Sequence, residues 1–265
     1  MTIQADEWDI VVVTYNSEKD LKDWWEQPKW VRDRVTCVDN GSTDATLPLA
    51  RELFSTVIES TNVGLSRANN IGGAAGSAPY VLFLNPDVSL QATDLQKLAK
   101  HLDEHGGLVA PRLIGLDGTP QESARGWPTL LNQVLNKIGR SPRVYLQPVP
   151  DDADAPVPWL LGAAIAAKRE DLDRVAWWPE AFFLYYEDTY LCLRWWEAGQ
   201  SVFVLGSIRW VHKWARASQS IWGPASRLHY ASAVRFFARR PRLLFSVPKG
   251  LEARRISMAS GVASQ

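Results

Sequence analysis

Ile10 to Val13 is an unbroken β-branched run that stops at the polar stretch Thr14-Tyr15-Asn16-Ser17. A run of this kind suits a strand buried on both faces, and such strands belong to parallel sheets covered by helices. The pattern recurs. Val35 to Val38 ends in Asp39-Asn40-Gly41-Ser42-Thr43-Asp44, and the short run Val57 to Glu59 precedes Asn62-Val63-Gly64. Tyr80 to Leu84 ends in Asn85-Pro86-Asp87, and Leu108 to Pro111 is a fifth run. Helical stretches fall between them: Lys19 to Trp25 with Ser17 as its cap, a segment reaching Phe54 capped by Ser42 or Thr43, a small-residue helix through about Ala75, and Leu95 to Glu104. Strand and helix alternate over the first 111 residues. That order predicts an α/β fold with a mostly parallel sheet and helices on both faces. Ligands of such sheets sit at the carboxyl ends of the strands. The clusters at Thr14–Ser17, Asp39–Asp44 and Asn85–Asp87 all fall there.

The second half is less regular. Gly115 to Pro158 carries seven prolines and reads as loop, a flap over the site with one short helix near Leu130 to Ile138. Trp159 to Ala167 is apolar. Phe182 to Trp196 holds Glu187 and Asp188 and turns helical towards Glu197, Ser201 to Leu205 is a strand, and Trp210 to Trp214 carries His212. Ala225 to Arg240 is an amphipathic basic helix followed by a basic tail. The expected organisation is a domain over 1–220, in two halves (1–111 and 112–220), then a basic extension over 221–265.

Composition narrows the function. Apolar residues are 46% of the chain and the formal net charge is zero, so nucleic acid is not an expected partner. The charge is uneven, however: Arg209 to Arg255 holds eleven Lys or Arg and one acid, Glu252. A basic amphipathic stretch suits a membrane surface; the competing role is a helix packed on the domain with solvated arginines. Cys37 and Cys192 lie in apolar settings and read as buried thiols. Met1 to Glu7 lacks the features of a signal peptide, and no apolar run suits a spanning helix. The expected location is cytoplasmic, with possible peripheral contact at the inner face of the membrane. Seven of 13 tryptophans fall between Trp177 and Trp222, placed to fill a core or to stack on sugar.

Taken in order, the motifs resemble family 2 glycosyltransferases, enzymes of the GT-A fold. Val11-Val12-Val13-Thr14-Tyr15-Asn16 resembles the family's first strand, and Val38 to Asp44 its second motif. Asn62-Val63-Gly64, with Asn70 and Gly72, resembles the third. Leu84-Asn85-Pro86-Asp87-Val88 resembles the metal motif of the rhamnosyltransferase-like branch. Gly162-Ala163-Ala164 and Phe183-Leu184-Tyr185-Tyr186-Glu187-Asp188 with Arg194 resemble the acceptor and catalytic segment, and His212 stands where a late histidine is common. Two positions depart from the pattern: Asn85 replaces the first acid of Asp-x-Asp, and Tyr190 stands where the branch often has another acid.

The resemblance implies an inverting transferase that moves a sugar, best matched to L-rhamnose from dTDP-L-rhamnose, onto a hydroxyl of a growing bacterial surface glycan, with a lipid-linked glycan among the acceptors it suggests. It makes 1–111 the nucleotide-binding half and 112–220 the acceptor and catalytic half. It implies that Thr14, Tyr15, Asn16, Asp39, Asn62, Gly64, Arg67, Asn70 and Asn85 bind the nucleotide sugar. A carboxylate such as Asp39 accepts hydrogen bonds only and so suits an imide N–H or a ribose hydroxyl; its alternative is a turn. Arg67 can bond two phosphate oxygens, or lie on a solvated helix face. Asp87 and His212 are the expected ligands of Mg²⁺ or Mn²⁺, with a helix cap and a core histidine as the competing roles. Asp188 is the expected base, supported by Glu187; the alternative is an acid pair favoured by a helix N-terminus. A nucleotidyltransferase is excluded because Thr14 to Ser17 has neither glycine nor a basic residue. A non-catalytic nucleotide-sugar or carbohydrate-binding scaffold is the other reading, suggested by the tryptophans and the incomplete Asp-x-Asp.

Overall fold

A computed structural model describes residues 7–121, 123–137, 153–213 and 224–262. Ten strands are present among them: β1 (Trp8–Thr14), β2 (Val35–Asn40), β3 (Thr56–Ser60), β4 (Tyr80–Leu84), β5 (Leu108–Ile114), β6 (Ala124–Arg125), β7 (Asp154–Pro156), β8 (Trp159–Leu160), β9 (Ala164–Lys168) and β10 (Val202–Val211). Eight form one sheet in the order β3-β2-β1-β4-β9-β5-β10-β7, while β6 and β8 pair separately. β1 is parallel to β2 and β4, β2 to β3, and β5 to β10. The α/β fold with a mostly parallel sheet is thus present. Thr14 pairs with Asp39 and Val12 with Leu84, so the polar loops after β1, β2 and β4 open at one edge.

One strand inside the sheet runs the other way. β9 is antiparallel to both β4 and β5, with Ala164 opposite Leu84. Its first residues therefore lie at the edge where the parallel strands end. This reversal brings Gly162 and Ala163 to the polar loops.

The β1 run buries both faces as expected. Ile10 and Val12 join one hydrophobic cluster, while Val11 joins a second and Val13 a third, as alternation along a strand requires. Trp25, Trp195, Trp196 and Trp210 are among the largest fully buried side chains, so these tryptophans fill the core. Both cysteines are buried and free, and burial pushes their thiols up.

Several local expectations are corrected. The first helix is Glu18–Trp24, and Ser17 occupies its cap position without capping it; the Ser17 hydroxyl accepts the Tyr15 N–H at 3.2 Å instead. Asp44, not Ser42 or Thr43, serves the helix Thr46–Leu53, its carboxylate accepting the Thr46 N–H at 3.0 Å. The proline-rich stretch contributes β6, the helix Leu130–Lys137 and edge strand β7, while 138–152 lie outside the described residues. The strand expected to end at Leu205 continues to Val211 after an irregularity between Leu205 and Arg209.

The described part of the basic C-terminal segment packs on the domain. Its helices are Pro224–Arg239 and Lys249–Val262, the second falling where a tail was expected. Phe236, Phe237, Leu243 and Leu251 join the same core cluster as Trp195 and Trp196. Arg240 bonds Glu197 through two nitrogens at 2.9 and 2.8 Å, and Arg254 donates to the Trp196 carbonyl at 2.6 Å. No helix among the described residues is long and apolar enough to cross a membrane.

Candidate active site

A cavity of about 320 Å³ opens at the carboxyl edge of the sheet. Asn85 and Asp87 reach it from the loop after β4, and Gly162 and Ala163 from the start of β9. Glu187 and Asp188 come from the first turn of the helix Glu187–Glu197, and His212 from the end of β10. Sequence-distant residues therefore converge because each follows a strand that ends at this edge, or begins an element that starts there.

The loop after β4 is held from three sides. The Asn85 N–H donates to the Ala163 carbonyl at 2.8 Å, and the Trp25 indole donates to the Pro86 carbonyl at 3.1 Å. The Lys213 N–H donates to the Asp87 carbonyl at 3.1 Å. These bonds set Asp87 beside His212, with Nε2 of His212 3.5 Å from Oδ1 of Asp87. The other ring nitrogen, Nδ1, lies 2.8 Å from Oε1 of Gln121, whose amide Nε2 donates to the His212 carbonyl at 2.6 Å. Gln121 thus grips both ends of His212.

These residues fit a divalent cation. Two ligands each about 2.1 Å from an ion, at roughly tetrahedral or octahedral angles, are separated by on the order of 3 to 3.5 Å. Asp87 and His212 have that separation, and Gln121 supplies the outer-shell bond usual for a ligating histidine. No group of three or more His, Cys, Asp or Glu side chains suited to a metal exists among the described residues. The remaining ligands would be phosphate oxygens and water, as for Mg²⁺ at nucleotides.

The acid pair has an asymmetric environment. Oδ2 of Asp188 accepts the Gly162 N–H at 3.0 Å, and Oδ1 accepts the Thr189 N–H at 2.6 Å and the Thr189 hydroxyl at 3.1 Å. Burial raises the Asp188 carboxyl above its ordinary value, and these donors, with the charge of Arg125, offset part of that rise. Glu187 is also buried, and its Oε2 has no hydrogen-bond partner. Burial first, then the charge of Asp188, pushes Glu187 up to about 8.

The loop before this helix is under backbone strain. Tyr185 and Tyr186 adopt φ of 67° and 69°, a region costly for bulky residues. Two contacts hold it. Leu65 N–H donates to the Phe183 carbonyl at 2.9 Å, and the Ser232 hydroxyl donates to the Leu184 carbonyl at 2.7 Å. Gly64 makes the first possible: at φ +86°, a Cβ there would stand 2.6 Å from the Phe183 carbonyl oxygen.

A second polar cluster, at the ends of β1 to β3, lies outside the lining of this cavity. Asp39 is 1% exposed; it accepts from the Thr14 hydroxyl (3.1 Å), the Ser42 N–H (3.1 Å) and the Ser42 hydroxyl (2.5 Å). Three of about four acceptor sites are used, so the turn role is present and one site remains. Asn16, at φ 51°, donates its N–H to the Ser42 hydroxyl (2.9 Å) and accepts the Thr43 N–H (2.8 Å), while Tyr15 is exposed. Oδ1 of Asn62 accepts from Asn40 (3.2 Å) and from the Gly64 N–H (3.3 Å).

Two expected residues stand apart. Arg67 is exposed on its helix and is not part of the cavity wall. Asn70 is engaged internally, donating to the Trp178 carbonyl and to Glu180, both at 3.0 Å, and accepting the Trp178 N–H at 3.0 Å. Sequence reasoning missed Gln121, Arg125 and Thr189. Gln121 and Arg125 lie in the stretch read as loop, where no local pattern marks them. Thr189 was marked only by its place beside the acid pair.

The chain matches the description Glycosyl transferase family 2 over residues 9–148, more than half its length. It is 27% identical over 259 residues to the N-acetylglucosaminyl-diphospho-decaprenol L-rhamnosyltransferase of Mycobacterium tuberculosis, covering 87% of this chain and 84% of that protein. It is 24% identical over 194 residues to the low-salt glycan biosynthesis hexosyltransferase Agl10 of Haloferax volcanii, covering 71% of this chain and 61% of that one. Among solved structures it resembles the mannosyltransferase PcManGT of Pyrobaculum calidifontis in complex with GDP-Man and Mn²⁺, at a TM-score of 0.57 and 20% identity, covering 98% and 76% of the two chains. It also resembles S. aureus TarS 1-349 in complex with UDP-GlcNAc, at a TM-score of 0.56 and 20% identity, covering 90% and 70%. The structural likenesses establish the GT-A fold. The sheet, the motifs in their order and the match over residues 9–148 agree: the chain belongs to glycosyl transferase family 2.

Proposed function

We propose that the protein is an inverting, divalent-metal-assisted glycosyltransferase, with L-rhamnose from dTDP-L-rhamnose as its donor and a glycan hydroxyl, lipid-linked, as its acceptor. The observation that carries this reading is the meeting of Asp188 with the Asp87–His212 pair in one cavity. The L-rhamnosyl group and the lipid-linked acceptor are supported by the name of the mycobacterial relative.

Asp87 and His212 would hold Mg²⁺ or Mn²⁺, which supplies positive charge to the departing diphosphate. Thr14, Tyr15, Asn16, Asp39 and Asn62 receive the nucleotide, with Asp39 offering its remaining acceptor site to an imide N–H or a ribose hydroxyl. Asn85 and Gly64 border the sugar end, and Arg67, exposed on its helix and outside the cavity wall, would bond phosphate from the solvent side. Asp188 accepts the proton of the acceptor hydroxyl as that oxygen bonds C1 and the bond from C1 to the phosphate oxygen breaks. One displacement inverts the anomeric carbon. The Gly162 and Thr189 N–H groups, and then the charge of Arg125, favour the anionic form of the base against its burial.

The C-terminal segment supports contact with an anionic bilayer, where a lipid-linked acceptor resides. Leu228, Tyr230, Val234 and Phe245 are exposed near Arg227 and Arg242. Residues 214–223 and 263–265 lie outside the described residues.

The test is a panel of nucleotide sugars, with Mg²⁺, Mn²⁺ or EDTA, read by thermal stability and by transfer to a lipid-linked sugar. A ligand at about 100 times its Kd adds ~2.7 kcal/mol. Stabilisation by dTDP-rhamnose alone supports the donor. Stabilisation by a uridine sugar instead discards rhamnose, and no shift with any donor discards catalysis.

A further inference from the structure

The acid pair at the head of the helix Glu187–Glu197 is not two equivalent carboxylates. Three donors surround Asp188: the Gly162 and Thr189 N–H groups and the Thr189 hydroxyl. Such a set stabilises an anion. Among the described residues no other side chain hydrogen-bonds to Glu187; its carboxyl has only its own backbone N–H, and Oε2 is sealed from solvent without a partner. A buried ionised oxygen left unpaired is strongly disfavoured, and a second negative charge beside Asp188 adds repulsion.

The other groups around Glu187 do not rescue its charge. Arg125, from β6, acts on Asp188. The Tyr185 hydroxyl, pushed up by burial and then by Glu187, stays a neutral phenol. His229, from the helix Pro224–Arg239, packs its ring on Tyr185 and Tyr186 at 5.4 and 5.3 Å. Asp87 across the cavity is another acid.

We infer that Glu187 is a neutral carboxylic acid throughout the reaction, binding an oxygen of the acceptor sugar as a hydrogen-bond donor while Asp188 alone carries the negative charge. This rests on the transferase reading above. The proton on Glu187 stays there. The proton lost by the acceptor hydroxyl goes to Asp188, so the pair begins with one negative charge and ends neutral. The single charge matters, because a doubly anionic wall would repel the departing diphosphate.

The inference separates two variants that a pair of equivalent acids would not. Glu187→Gln keeps a neutral side chain with a donor N–H, so it loses no more than about tenfold in kcat/KM, chiefly in the acceptor KM. Asp188→Asn removes the base and loses about 10²–10⁴-fold in kcat, with donor binding by calorimetry retained. Glu187→Ala removes the donor and costs more than Glu187→Gln, again mainly in the acceptor KM. Independently of turnover, the infrared spectrum of the unliganded protein at pH 7 contains a protonated carboxyl C=O band that is absent in Glu187→Gln. A Glu187→Gln enzyme as inactive as Asp188→Asn, or a spectrum without that band at pH 7, overturns the inference. A wild-type protein that shows the band but transfers from no nucleotide sugar overturns the transferase reading and leaves the protonation state of Glu187 standing.

Discussion

His212 and Asp87, 125 residues apart in the chain, meet with Nε2 3.5 Å from Oδ1 because β10 ends beside the loop after β4. The bridge between Val88 and His212 and the bond from the Ser89 N–H to the Val211 carbonyl at 2.8 Å set that meeting through the backbone. Its side-chain geometry depends on Gln121.

Asp87→Ala is therefore expected to abolish tight Mn²⁺ binding in the presence of a nucleoside diphosphate, as read by electron paramagnetic resonance or calorimetry. Gln121→Ala leaves both ligands but frees the ring, and should weaken Mn²⁺ by about 10–100-fold, the usual effect of removing an outer-shell partner. Equal Mn²⁺ affinity in Gln121→Ala and wild type would remove Gln121 from the site.

Glu187 also makes stability depend on pH. Its folded value, about 8, lies above the ordinary 4.5. A carboxyl raised in this way contributes stability that is complete below pH 4.5 and is lost as pH rises towards 8. Each pH unit in that window removes at most ~1.4 kcal/mol. Glu187→Gln should match wild type near pH 4 and exceed it by a few kcal/mol at pH 8, measured by urea unfolding across pH. Parallel curves for the two proteins would contradict the raised value.

Gly64→Ala tests the clasp on the loop that leads to Glu187 and Asp188. The new Cβ meets the Phe183 backbone, and φ +86° is itself unfavourable for alanine. The expected loss is about 1–3 kcal/mol of stability. Activity should fall further than stability at temperatures where the variant is folded, because Phe183 leads into the strained pair Tyr185 and Tyr186. Full activity in a destabilised Gly64→Ala would mean that the loop does not need this contact.

Much of the fold was legible because its signals are local. The apolar β-branched run Ile10 to Val13 needs no partner to announce a doubly covered strand, and the polar loops after β1, β2 and β4 mark the site edge by position alone. The antiparallel course of β9 was not legible, since Trp159 to Ala167 is apolar whichever way it runs. Helix caps were misread for a related reason. Ser17 is a good capping residue, but its hydroxyl has a nearer partner in the Tyr15 N–H, and Asp44 outcompetes Ser42, whose hydroxyl is bound to Asp39.

The site divided in the same way. Asp87, Glu187, Asp188 and His212 were named from sequence and share a cavity. Asn70 carries the right chemistry but is used to tie its helix to Trp178 and Glu180. Gln121 and Arg125 could not be found, because their importance lies only in contacts with His212 and Asp188, far away in the chain.

The bond from Ser232 to the Leu184 carbonyl has a practical consequence for anyone redesigning this chain. A cut placed before residue 224 would remove a strut of the strained turn that leads into Glu187 and Asp188. Such a trimmed protein could keep its sheet and still lose its chemistry. A fusion partner or surface tether is better joined beyond the final helix, leaving that strut in place.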